Sequence, residues 1–566
     1  MGRKCTVLVL SLLLVVFILF GCATPGAAPG GTQPPGGNPP AGNAPAGGNN
    51  QSPGKAVEMP SKTITLATNE NAIRMDPHRD NNAGSRTIKD SVFEVLFWND
   101  HQGSFYPMLA ENWEWSEDWL TLTVYLRQGV KFHNGNPFNA ADIIANFDRV
   151  LNPDDPYMAP WRTDFAAVES YEALDEYTVV FHFNTLDCGL MMNFSALKLM
   201  DGESYAELGD AAWEDGRMYG TGSWKFVEWV DGQYARLVKN EDWWNIENNN
   251  SYYDTLIVRH ILEPTTAVAA HLSGDINGNI PIGGIGKDLL ELYKQAADRI
   301  QLYTQTEGSY YYLQYGFTQP NSPFHDQNFR YAFEHAIDRQ AIIDNIYGGG
   351  TLPSTIIIPI ALGGQDVQEP RTYDPELAKE YLAKSSYDGY DIELMGNTST
   401  FRGEETLLAV ADYCRKVGIN AHVKMEEYAS FNERRNTKNY DLFLIITIAN
   451  DCELVGITRQ RILEDRQGSS FVDEHLNEII RNAIKTMQRG PRDDIFREMS
   501  KYMYEIAAPH FALVQCDSTY AWDNGVSGLV LYLDGTQRFS YVTYNPDVPE
   551  GVQSVVMPGM ENLKKQ

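Results

Sequence analysis

Six cysteines, 11 histidines and 75 acidic residues are the groups from which this chain would assemble a chemical centre. Their spacing assembles none of the common ones. There is no H-E-x-x-H metalloprotease helix and no G-x-S-x-G nucleophile elbow. No C-x-x-C pair occurs, and the histidines do not fall at ligand spacing, so no metal is expected. Gly220-Thr-Gly222 completes neither a dinucleotide fingerprint nor a phosphate loop, and no cofactor is expected. A carboxylate pair would suit glycoside cleavage, but nothing singles a pair out. What remains is recognition chemistry. Trp161 and Trp522 can act as aromatic platforms for sugar rings or apolar side chains, or as core. Arg402 can meet an anion as a fork donor, or stand as a solvated loop residue.

The elements that would position such groups start outside a membrane. Arg3 and Lys4 precede an apolar run from Val7 to Phe20, shorter than the roughly 20 residues of a bilayer span, and Gly21 follows. This is the pattern of a secretory signal. Cys22 directly after the small residue resembles the bacterial lipobox, which implies a lipid on Cys22 at a new N-terminus. The other reading is an ordinary signal peptide with an incidental cysteine. From Ala23 to about Gly54 the chain is mostly Pro, Gly, Ala, Asn, Thr, Gln and Ser. It has little to bury, and it reads as a disordered tether.

A formal charge of −30 repels nucleic acid and anionic lipid headgroups. After the tether about 510 residues remain, which suggests two or three domains. Among the remaining cysteines Cys188, Cys414, Cys452 and Cys516, one disulfide or four buried thiols are both open.

Strands and helices alternate along the ordered part. Alternating patterns predict strands over 62–68, 119–126 and 177–183, with further strands over 420–425 and 440–446. Helical spacing predicts helices over 139–150, 328–347, 374–384, 404–417, 473–487 and 492–506. Asn139 and Asp374 serve as N-caps, and Pro375 as a first-turn residue. The class is α/β with mixed sheets.

An ordered set of short blocks then becomes specific. These are Met75-Asp-Pro-His78, Val92 to Phe97, Pro107 to Trp113, Leu126 to Phe138, Ala141-Asp142, Gly220 to Phe226, Ala336-Ile-Asp-Arg339 and Tyr373-Asp-Pro375. The chain resembles the family 5 solute-binding proteins of bacterial ABC importers from about residue 60 to 550. That resemblance implies a two-lobed periplasmic-binding-protein clamp of type II, large and cluster C-like, with an extra small domain in the first lobe. The implied division is signal 1–21, tether 22–58, lobe I from 59–90, 196–308 and 518–566, inserted domain 91–195, and lobe II 309–517. Ligand would lie between the lobes.

The resemblance also implies site residues. The Asn69-Glu70-Asn71 loop would face the cleft. Tyr311 would stand near the first crossing between lobes, and Trp522 near the return. In the peptide-binding members an aspartate beyond a Tyr/Phe-Asp strand receives the peptide amine. Counted from Tyr440-Asp441, that position is Asn450, with Asp451 next. Leu444 occupies the place where oligopeptide binders carry an arginine, and the usual tryptophan is replaced near Thr447. The amine clamp is therefore either shifted to Asp451 or absent.

The expected function is a lipid-anchored, monomeric receptor that captures a peptide or similar oligomeric solute between the lobes and delivers it to an ABC permease. The same clamp binding oligosaccharides is the alternative, followed by an extracytoplasmic hydrolase or a sensor lipoprotein. Periplasm and cell surface both remain open.

Overall fold

The element β1 (Thr63–Thr68) opens the ordered chain with the alternation its sequence predicts, and a helix, Ala83–Val92, follows. The hairpin β2 (Phe97–Asn99) and β3 (Phe105–Pro107) leads into a separate antiparallel sheet. Its strands are β4 (Ala110–Trp115), β5 (Thr121–Leu126), β6 (Val168–Asp175) and β7 (Thr178–Phe183), in the order β4-β5-β7-β6. The chain then adds β8 (Trp224–Val230), β9 (Tyr234–Lys239), β10 (Thr255–His260), β11 (Gly278–Asn279) and the long β12 (Ile300–Tyr315). Last come β13 (Ile392–Asn397), β14 (Ala421–Glu426), β15 (Leu442–Thr447) and the long β16 (His510–Asp523). These elements come from a computed structural model whose described residues are 61–79, 82–99, 104–213, 217–248, 250–347, 369, 371–398, 400, 402–447, 459, 463, 470–506, 510–531 and 537–545. Cys22 and the tether lie outside them.

One ten-stranded mixed sheet runs β14-β13-β15-β12-β16-β11-β1-β10-β9-β8. Among the described strands only β12 and β16 belong to both of its halves. Ile300 to Thr306 pair with Asp523 to Asp517, beside β11; Tyr310 to Gln314 pair with Gln515 to His510, beside β15. Each half buries its own core. Ile64, Leu66, Leu256 and Trp522 pack in the first half. Leu313, Leu394, Leu442 and Phe511 pack in the second. The antiparallel sheet β4–β7 has a third core, around Leu122, Phe147 and Phe181. Burying such apolar surface is the main favourable term in folding.

The blocks that carry the family resemblance are structural seams. Asp76 is buried and receives a bidentate pair from Arg149, Nη1 to Oδ1 at 2.8 Å and Nη2 to Oδ2 at 2.5 Å. Arg149 lies on the helix Ala140–Val150, packed on the β4–β7 sheet, so this pair seats that sheet on the loop after β1. His78 completes the seam, with Nδ1 2.8 Å from Arg149 Nη1 and Nε2 2.8 Å from the Lys198 carbonyl. Burial, then the Arg149 charge, pushes the His78 imidazole down to about 3, so it is neutral and accepts from Arg149 while donating to Lys198. Glu94 is buried under Thr221 Oγ1 at 2.7 Å, Trp243 Nε1 at 3.0 Å and Trp244 Nε1 at 2.9 Å. At Gly220 an added Cβ would stand 2.0 Å from the Val92 carbonyl oxygen, so the backbones meet there without a side chain between them.

Two sequence expectations need correction. The predicted helix 328–347 is broken: Gln327–Ala336 ends at Ile337, which is extended at φ −103° and ψ 119°. Asp338 then caps a new turn by accepting from the Ala341 amide at 2.9 Å. The break lets the Arg339 guanidinium donate to the Ala512 carbonyl of β16 at 2.8 Å. The strand predicted from residue 119 starts at Thr121, because Trp119 turns the chain at φ 61°. Of the cysteines, Cys188 and Cys414 are buried and in no disulfide; Cys452 and the Cys516 side chain lie outside the described residues.

Candidate functional site

The register defines where a ligand can meet both halves. β1, β10 and β11 are parallel, and β11 is antiparallel to β16, so their C-terminal ends advance along β16 from Trp522 toward Ser518. In the other half β13, β14 and β15 are parallel, and β15 is antiparallel to β12, with Thr447 at its C-terminal end opposite Tyr310. Both sets of parallel strands therefore end at one place. That place is the crossing, where the β12–β16 register breaks between Thr306 and Tyr310. Ligands of open α/β sheets bind beyond the carboxyl ends of parallel strands.

The first half brings its loop to this place through a chain of bonds. Asn69 accepts from the Ile282 amide at 2.8 Å and donates to the Ile282 carbonyl at 3.2 Å. Two residues on, Gly284 lies directly on β16: its φ is +77°, and an added Cβ would be 2.7 Å from the Thr519 nitrogen. The Ile285 amide donates to the Thr519 carbonyl at 2.7 Å. Glu70 and Asn71 follow Asn69 on that edge. Asn82 donates to Glu70 Oε2 at 3.3 Å, and Asn71 donates to Asp231 Oδ1 at 2.7 Å while accepting from the Gly232 amide at 3.1 Å. Polar side chains line the crossing itself. Asp517 is exposed, Ser518 is fully buried, and Thr519 Oγ1 lies 2.7 Å from Thr304 Oγ1.

Arg402 belongs to the opposite edge. It follows β13 and precedes the helix Gly403–Val417, in the left-handed region at φ 54°, with Nη1 3.4 Å from Glu405 Oε1. Glu70, Asn71 and Arg402 thus all stand at C-terminal strand edges.

The aromatic platforms are corrected. Trp522 is 1 % exposed and packs on Tyr303 in the first core, with ring centroids 5.9 Å apart. Tyr311 is 6 % exposed and packs on Tyr347 at 4.8 Å in the second core. Both rings support the crossing strands from behind and present no open face. Trp161 donates from Nε1 to the His78 carbonyl at 2.8 Å and stacks on Phe165, which puts it in the seam under the β4–β7 sheet. Asn450 and Asp451 lie outside the described residues, beyond the end of β15.

Sequence reading passed over Asp517, Ser518 and Gly284. The Gly283-Gly284 pair was the available signal, since two adjacent glycines mark a close backbone approach. A cavity of ≈ 410 Å³ lined by Phe317, Arg330, Phe471 and Asp473 lies beyond the Tyr315 end of β12, away from the crossing. Among the described residues no group of three or more His, Cys, Asp or Glu is placed to hold a metal ion. No helix among them is long and apolar enough to cross a membrane.

Comparison with known proteins bears on the fold. The profile of bacterial extracellular solute-binding proteins, family 5 Middle, matches residues 104–452. The glutathione-binding protein GsiB of Salmonella typhi is 26% identical over 376 residues, covering 64% of this chain and 69% of that protein. Di/tripeptide-binding protein 1 of Pseudomonas aeruginosa is 26% identical over 447 residues, covering 74% and 82%. Among solved structures, the ABC transporter substrate-binding protein CtaP from Listeria monocytogenes superposes with a TM-score of 0.76 at 19% identity, covering 85% of this chain and 99% of that one. The dipeptide-binding protein from Pseudoalteromonas sp. SM9913, in complex with Met-Leu, gives 0.71 at 20% identity, covering 85% and 100%. These likenesses carry the two-lobed α/β fold.

Proposed function

Because this chain belongs to the family 5 bacterial extracellular solute-binding proteins, we propose that it captures short peptides at the β12–β16 crossing and hands them to an ABC permease. It is a transport binding protein and not an enzyme. The observation that carries the peptide-receptor reading is the convergence of both sets of parallel strands on one crossing. A ligand there touches both halves at once, so binding favours the arrangement in which they are closed. Lobe I is 59–90, 196–308 and 518–566, with 91–195 inserted, and lobe II is 309–517.

Short peptides are favoured over oligosaccharides by two considerations. Of the rings that would have stacked on sugars, Trp522 is core and Trp161 is tied to the His78 carbonyl in a seam, and relatives of this chain are glutathione-binding and di/tripeptide-binding proteins. In this reading Asp451 or Asn450 meets the peptide amine, Arg402 meets its carboxylate, and Glu70 and Asn71 hold backbone groups. Cys22 carries the lipid that keeps the receptor, a monomer, at the outer side of the cell membrane.

Calorimetric titration of the ligand-stripped protein with dipeptides, tripeptides and glutathione tests the proposal. Binding by a member of this set, weakened at least tenfold by Asp451→Asn or Arg402→Ala, is expected. Failure of all of them, with tight binding of an oligosaccharide, would overturn it.

A further inference from the structure

The β4–β7 sheet is seated on the first half, yet one of its loops reaches the second. After β7 the chain turns at Asp187-Cys188 into the short helix Leu190–Ala196. The Cys188 amide donates to the Ile484 carbonyl at 2.9 Å, and its thiol lies 3.5 Å from the Ala483 carbonyl oxygen. Cys188 is 7 % exposed and belongs to one hydrophobic core with Leu476 and Ile480. These belong to the helix Glu474–Lys485, whose core also holds Tyr312 and Ala512 of the crossing strands. Beside the thiol, Arg459 Nη2 donates to Asp187 Oδ1 at 2.6 Å, with side chains 15 % and 12 % exposed. The same Oδ1 accepts from the Gly189 amide at 2.9 Å, so one oxygen shapes the loop and holds the guanidinium.

None of these bonds runs through β12 or β16, the two strands that join the halves. If the halves separate about the crossing, the Cys188–Ile484 and Asp187–Arg459 contacts must break, and their free energy then weights closed against open. We infer that the Asp187-Cys188 loop is a clasp that holds the β4–β7 sheet against the second half in the closed state and sets how often the cleft opens. The inference rests on the clamp reading of the cleft and adds a regulator of residence time outside it.

Cys188 supplies the readout, because opening exposes its thiol. The full mature chain is treated with N-ethylmaleimide under native conditions, and alkylation is followed site by site by peptide mapping. Asp187→Asn keeps an oxygen for the Gly189 amide and removes the charge. It should speed Cys188 modification about tenfold, the factor that corresponds to about 1.4 kcal/mol, and leave Cys414 unchanged. Arg459→Gln should do the same, and the reversed pair Asp187→Arg with Arg459→Asp should restore part of the protection. An unchanged Cys188 rate in both single variants would overturn the clasp, as would equal acceleration at Cys414, which reports global unfolding. Small-angle scattering of the wild-type chain with and without a mixture of di- and tripeptides separates the two ideas. A radius of gyration that shrinks with peptide while Cys188 ignores Asp187→Asn keeps the clamp and removes the clasp. A radius that never changes removes the clamp, and the clasp with it.

Discussion

Replacing Asp76 by Asn tests how the family blocks hold this fold together. The Asp76 and Arg149 side chains are 2 % and 3 % exposed and 2.5 Å apart. Removing one member of a buried pair costs about 3–5 kcal/mol, because the other charge stays buried. Arg149 would keep Asp210, 3.9 Å away, but that carboxylate is 55 % exposed and weakly placed. Arg149 would also keep the neutral His78 Nδ1, 2.8 Å from its Nη1, so the loss should fall near the low end, about 3 kcal/mol. The pH dependence has a definite sign. Burial raises the Asp76 carboxyl, but the hydrogen bond and charge of Arg149 outweigh it and hold the group below its ordinary 3.8. The stability it contributes is present above that value and is lost as pH falls through the lower, folded-state value. Urea unfolding followed by tryptophan fluorescence should show the gap between Asp76→Asn and wild type fully open at pH 7 and closing in acid. The double variant Asp76→Asn with Arg149→Met should be less damaged than the sum of the two singles. A variant within about 0.5 kcal/mol of wild type at pH 7, or a gap that ignores pH, would refute the reasoning.

Other consequences follow from the same seams. Burial pushes the Glu94 carboxyl up to about 7, against hydrogen bonds from Thr221, Trp244 and Trp243. Between its ordinary value and that one, the folded chain keeps a proton the unfolded chain has released. Stability should therefore fall as pH rises from 5 to 7, by at most about 3 kcal/mol, and Glu94→Gln should flatten the slope in urea titrations. Gly220→Ala would set a methyl 2.0 Å from the Val92 carbonyl oxygen; a loss of about 1–3 kcal/mol is expected by thermal melting, and an unshifted melting temperature would contradict the contact. The Cys414 thiol is fully buried and pushed up to about 12 by that burial. It should react with maleimide only when the chain unfolds, and rapid modification of the native protein would contradict its placement.

Local pattern made much of this architecture readable. The alternation over 177–183 is β7, Asp374 and Pro375 start the helix Pro375–Lys384, and Asn139 caps the helix Ala140–Val150 through a capping box. Long-range partners were not readable. Asp76 and Arg149 are 73 residues apart, and nothing local pairs them. The same limit misdirected the reading of the aromatics. A tryptophan in a strand has the same local pattern whether its ring faces a cleft or a core. For Trp522 the choice is made by the packing of Tyr303 in the first half, which burial fixes and periodicity does not. The broken helix at Ile337 has a similar origin: its apolar spacing is continuous, but the bond from Arg339 to β16 requires a turn there. For the site, the Glu70-Asn71 loop was named from the family resemblance and Arg402 from the fork chemistry of its guanidinium, whereas Asp517 and Ser518 became visible only once the crossing was traced.

The claim that most needs a direct test is that peptides lie at the crossing. Native mass spectrometry of the purified, signal-free protein, followed by denaturation and sequencing of whatever is released, addresses it. A ladder of short peptides, lost in Asp451→Asn, is the result this account predicts. A hexose series released from the wild-type protein would contradict it.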